Sequence, residues 1–178
     1  MSSSFSRIWI HAMWTTKNQS PLIQTSFRPK LNEIIAIQFQ EMGCHLEAIS
    51  AMSDHIHCLF LQNKSKNTAE IIKTVKGNSS HLINFGNLLP EKFSWQKGYA
   101  AFAVSHTEIE SSIKLFADQD LIHCNSTYNQ ELEKILIING LEKDLQDSLS
   151  YKERYRLRFN TIPNYKKDHF ISKSTSRT

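Results

Sequence analysis

The stretch Asp54-His55-Ile56-His57-Cys58-Leu59-Phe60-Leu61 is almost wholly apolar apart from its first four positions, and it stops at the polar run Gln62 to Asn67. It reads as a β-strand. Side chains on a strand alternate between faces. His55 and His57 therefore project together, and Ile56, Cys58 and Phe60 point the other way. Two imidazoles on neighbouring same-face positions can both reach one divalent cation, and imidazole suits Mn, Fe, Co, Ni and Zn. Taken bare, a His-x-His pattern is short and common, and two hydrogen-bonded histidines on a half-exposed sheet face explain it better. Its surroundings decide.

Working outward, Ile8 to Trp14 is rich in β-branched and aromatic residues and reads as an earlier strand. Asn18 to Pro21 is a polar turn. A helix starts near Pro29, carries Leu31, Ile34, Ile35 and Met42 near helical spacing, and meets a stop at Gly43. His45 to Ser50 is a weaker strand beside the histidine strand. Asn67 and Glu70 form a capping-box signature, opening a helix with Ile72, Val75, Ser79 and Leu82 on one face. Tyr99 to Val104 reads as a fourth strand. Ser105 with Glu108 opens another helix through Ile109, Ile113 and Phe116 to about Cys124, and a last helix, Asn129 to Asn139, stops at Gly140. The order β-α-β-β-α-β predicts an α+β, ferredoxin-like fold: an antiparallel sheet with helices on one face, plus an extra C-terminal helix and a basic tail. Residues 1–140 are expected to form the domain, and 141–178 the helix and tail.

The chain has 178 residues with a net charge of +4, enough for one domain with its own core. The charge is uneven. Residues 151–178 hold eight basic and two acidic residues, a net +6, which leaves −2 for the preceding 150. Such a tail fits contact with nucleic acid as well as it fits a solvated surface. No apolar run approaches the roughly 20 residues of a membrane span, and the first residues lack the features of a secretory signal. Cys44, Cys58 and Cys124 follow no disulfide spacing. A cytoplasmic protein with no membrane contact is expected.

Ser53-Asp54-His55-Ile56-His57-Cys58-Leu59 resembles the histidine–hydrophobic–histidine (HUH) motif of the IS200/IS605-type, single-tyrosine transposases. Further stretches resemble the same family in the same order. Arg7 to His11 with Trp14 to Lys17 is similar to its first strand. Val75-Lys76-Gly77-Asn78-Ser79-Ser80 is similar to its Lys-Gly-x-Ser-Ser helix. Phe93-Ser94-Trp95-Gln96-Lys97-Gly98-Tyr99 with Phe102 to Ser105 is similar to its Phe-x-Trp-Gln-x-Gly-Tyr strand. The resemblance implies metal-dependent cleavage and transfer of single-stranded, hairpin-bearing DNA by a homodimer. It also implies Mg or Mn held by His55, His57 and a third polar ligand, and a helix-borne tyrosine that forms a 5′-phosphotyrosine intermediate.

The chain departs from the family at that helix. Where the family reads Tyr-Ile-x-Asn-Gln and then His-His, this sequence reads Leu115-Phe116-Ala117-Asp118-Gln119 and then Ile122-His123. The resemblance therefore puts Gln119 at the third metal ligand and Leu115 at the nucleophile. Leucine has no oxygen with which to attack phosphorus, and no tyrosine lies between Ser105 and Cys124. Tyr128 and Tyr99 are poor substitutes by position. The expectation is a transposase-family protein with no intact catalytic residue, impaired in strand cleavage; the alternative is a non-catalytic DNA-binding protein derived from one. Lys73, Lys76, Lys97, Arg154, Arg156 and Arg158 are the candidate phosphate contacts. Trp95, Tyr99 and Phe102 are candidate stacking platforms, with core packing expected for at least two of them.

Overall fold

The structure, a computed structural model, describes residues 5–117 and 127–141. The chain divides into two compact units, Met1–Leu132 and Glu133–Thr178. The first unit contains β1 (Trp9–Thr15), α1 (Arg28–Glu41), β2 (His45–Ala51), β3 (His55–Leu61), α2 (Thr68–Phe85), β4 (Ala100–Val104), α3 (Ile109–Ala117) and the opening of α4 (Tyr128–Ile138). The described part of the second unit is the remainder of α4 and its stop. There Gly140 takes the left-handed backbone conformation, φ +73°, and the Leu141 N–H closes on the Leu136 carbonyl.

The four strands are antiparallel in the order β2-β3-β1-β4. Each crossover helix thus joins two strands that flank a third, as the ferredoxin-like order requires. β1 and β3 are central and almost fully buried, because both of their faces are covered. On one face Ile10, Ala12, Trp14, Ile56, Cys58 and Phe60 meet Leu31, Ile35 and Phe39 of α1 and Ile71, Ile72, Val75 and Ile83 of α2. Cys58 faces this core, as the alternation demands, and burial pushes its thiol well above the usual pKa. On the other face Trp9 and Leu59 pack against Phe116 of α3. The two crossover helices share one face, as expected; α3 packs on the other.

Several local expectations are refined. The apolar face of α2 runs through Ile83, whereas Leu82 is 41% exposed. The helix after Ser105 begins with a tight 3-10 turn, His106–Glu108, held by the expected capping box, before α3 proper. Its extension to Cys124 lies outside the described residues. Residue Glu47 is the extra residue of a β-bulge, since Leu46 pairs with Phe60 and Ala48 with Leu59. The bulge lets Leu46 and Ile49, three apart, both reach the core.

The connection from α2 to β4 is tied down by side chains. Asn84 bonds both backbone groups of Phe93, and the Trp95 indole N–H donates to the buried Ser79 hydroxyl at 2.9 Å. Trp95 also bridges to Thr16, whose N–H and hydroxyl donate to the Asp54 carbonyl. The 94–99 segment is thereby anchored between α2 and the end of the sheet that carries His55.

Candidate metal centre

β3 delivers His55 and His57 to the same face, and both are buried, at 1% and 0% exposure. The opening turn of α4 brings Glu131 onto them. His57 Nε2 lies 3.4 Å from Glu131 Oε2, and His55 Nε2 lies 3.8 Å from the same oxygen. One ligand atom from each of the three converges within 4.8 Å.

The neighbours fix which ring nitrogens face inward. His55 Nδ1 stands 2.6 Å from Asp54 Oδ1, and His57 Nδ1 stands 3.0 Å from His11 Nε2. With the Nδ1 protons donated to Asp54 and to His11, the tautomers a metal would require, the Nε2 atoms are the ones that face Glu131. A second group that holds the far nitrogen of an imidazole in this way is the usual support of a metal ligand. His11 must then be a neutral acceptor, and its surroundings enforce that. Burial, reinforced by His57 and opposed by Glu131, lowers its pKa to about 3. Phe116 closes the other side, its ring 4.9 Å from that of His11 and 5.7 Å from that of His57.

Does this donor set fit a metal? His57 Nε2 is buried and makes no hydrogen bond within the described protein. Two imidazole nitrogens and a carboxylate oxygen suit a divalent first-row cation. The group can hold one.

Tyr128 lies one helical turn before Glu131 and so shares its face. Its ring centroid is 5.1 Å from that of His55. Burial first, then the Glu131 and Asp54 carboxylates, raise its pKa to about 12. The sequence reading gave this tyrosine little weight and did not single out Glu131. The available signal was the Thr127–Gln130 capping pair, which starts a helix just where Tyr128 and Glu131 would share its first turn.

The remaining sequence candidates are dispersed. Gln119, Arg154, Arg156 and Arg158 lie outside the described residues. Leu115 is on α3 at 43% exposure, next to the Phe116 that covers the histidines. Lys73, Lys76 and Lys97 are not at the centre; they line a groove between α2 and the 94–99 segment. Lys76 is committed there to the protein itself, donating to the carbonyls of Gln96 and Gly98, and burial lowers its pKa to about 8. Trp95 and Phe102 are buried, as expected for two of the three aromatic candidates, and Tyr99 is exposed.

Comparison with known proteins now bears on this arrangement. The family model described as "Transposase IS200 like" matches residues 4–119. The chain belongs to that family. Two solved structures share the fold of this IS200-like chain. One, from Deinococcus radiodurans R1 and designated a transposase, has 20% identity, covers 67% of this chain and 95% of its own, and gives a TM-score of 0.52. The other is a REP-associated tyrosine transposase bound to a REP hairpin, with 14% identity, 69% and 74% coverage and a TM-score of 0.51. Comparison with curated proteins finds no match. No helix among the described residues is long and apolar enough to cross a membrane.

Proposed function

We propose that this IS200-like chain binds single-stranded, hairpin-bearing DNA as a homodimer at a centre loaded with Mn or Mg, and that its strand cleavage is impaired. The observation that carries the reading is the convergence of His55 Nε2, His57 Nε2 and Glu131 Oε2 within a chain of this family. A divalent cation at this position supplies Lewis-acid polarisation of a scissile phosphodiester. The chain's own part is to hold that position. Asp54 and His11 orient the two imidazoles, and Phe116 shields His57 from solvent. Gln119 stays a further ligand candidate by resemblance, and Arg154, Arg156 and Arg158 stay candidate phosphate contacts. Impairment follows from Leu115, which stands where the family carries its nucleophile and offers carbon only. A non-catalytic DNA-binding protein is the end point of that loss.

One observation favours a second reading. Tyr128 is a half-buried phenol beside His55, one turn from Glu131. As a substitute nucleophile, its oxygen would bond to phosphorus as the bond to the 3′ oxygen breaks. The phenolic proton would go to solvent, and the 3′ oxygen would leave as a hydroxyl.

Labelled single-stranded DNA from both flanks of the gene, incubated with Mn and resolved on a denaturing gel, separates these readings. The expected result is no covalent adduct with wild type and an adduct with Leu115→Tyr. An adduct with wild type that disappears in Tyr128→Phe establishes the second reading. Failure of every protein to bind any single strand in a companion shift assay removes the DNA reading itself.

A further inference from the structure

α2 and the 94–99 segment enclose an open groove of about 380 Å³, within the range of small-ligand sites. Its lining includes Lys73, Lys76, Gly77, Trp95, Lys97 and Tyr99, and no acidic residue. Three features of it are unexplained by the protein's own packing.

Gly77 sits in the middle of an 18-residue helix. Glycine there costs roughly 0.5–1 kcal/mol relative to alanine. A Cβ at this position would meet nothing within 4 Å, so no neighbour in the described protein requires its absence. Gly98 differs, because its φ of +84° demands glycine for backbone reasons. Tyr99 leaves 42% of its surface in solvent at the same groove, although Trp95 and Phe102 around it are buried. Lys73 and Lys97 are exposed, and no ion pair or hydrogen bond engages the Lys97 side chain among the described residues.

We infer that this groove takes an unpaired nucleotide of single-stranded DNA. An aromatic ring in a groove offers a face for any base. The bare backbone at Gly77 leaves room for that base to approach the helix closely. Lysines without a competing carboxylate complement the phosphates on either side. The groove is also tied to the metal centre: Trp95 bridges to Thr16, and Thr16 bonds the carbonyl of Asp54, which holds His55. The inference rests on the DNA reading above but concerns a separate surface.

The test uses the full-length chain and a short fluorescein-labelled oligothymidine, read by anisotropy, with thermal unfolding of each protein alongside. Gly77→Ala is the decisive variant. It should unfold at a higher temperature than wild type yet bind the oligonucleotide at least about fivefold more weakly, near the lower end of what one stacked base contributes. Tyr99→Ala should weaken binding by about five- to a hundredfold with little change in unfolding. Wild-type affinity in Gly77→Ala overturns the inference while leaving the DNA reading intact. Absence of binding by wild type overturns both. Equal binding of a blunt duplex overturns the unpaired nucleotide as the ligand.

Discussion

His11 shows how much of the centre depends on a residue that is not itself a ligand candidate. Its Nε2 faces His57 Nδ1, and it can accept the proton of that nitrogen only while its own Nε2 carries none. The folded protein holds its pKa near 3, against about 6.5 in an unfolded chain. Between those values the unfolded state binds a proton that the folded state refuses. The contribution of this group to stability is therefore full above pH 6.5 and falls as pH drops toward 3, by at most about 1.4 kcal/mol per pH unit. Urea unfolding of the chelator-treated protein across that range should show the slope, and His11→Leu should flatten it. An identical slope in the variant would exclude His11 as the source. His55 and His57 were legible in the sequence because they are neighbours on one strand, and Asp54 because it stands at the entrance of that strand. Glu131 was not, because its partners come from an element far away in sequence and its own helix offers no strong apolar stripe around it.

The elements divide by how local their cause is. α2 was readable at its start, where Asn67 accepts from the Glu70 N–H at 2.8 Å, because a cap is written within four residues. Asn67→Ala should cost about 1 kcal/mol, measured by denaturant unfolding; no change would mean that tertiary packing alone fixes the helix start. β3 was readable from its composition and from the polar run that ends it. β2 was harder. Leu46 and Ile49 are three apart and contradict strand alternation until the bulge at Glu47 is seen, and a bulge depends on the partner strand. The last turn of α2 misled for a similar reason: Leu82 and Ile83 are both apolar, and only the connection pinned by Asn84 decides which one is covered.

Across the whole molecule, the ferredoxin-like order followed from the sequence of elements, but the second covered face did not. Periodicity alone put the histidines on a half-exposed surface; α3 and the opening of α4 bury them. The +6 of residues 151–178 should contribute to oligonucleotide affinity through counterion release. Deleting 151–178 should weaken binding and make it less steeply dependent on salt, without lowering the unfolding temperature of the remaining protein. Unchanged affinity and salt slope would take the tail out of DNA contact.

The closure of the histidine face has a kinetic side. With His55 and His57 shut off from solvent beneath Phe116 and Tyr128, an ion cannot enter or leave a fixed structure. If a cation binds there, its loading would wait for a local opening of α3 or of the turn bearing Glu131, and such openings have free energies of their own. For protein loaded with Mn, the time taken to strip the ion with excess chelator would then report how often that cover lifts rather than how tightly the ion is held.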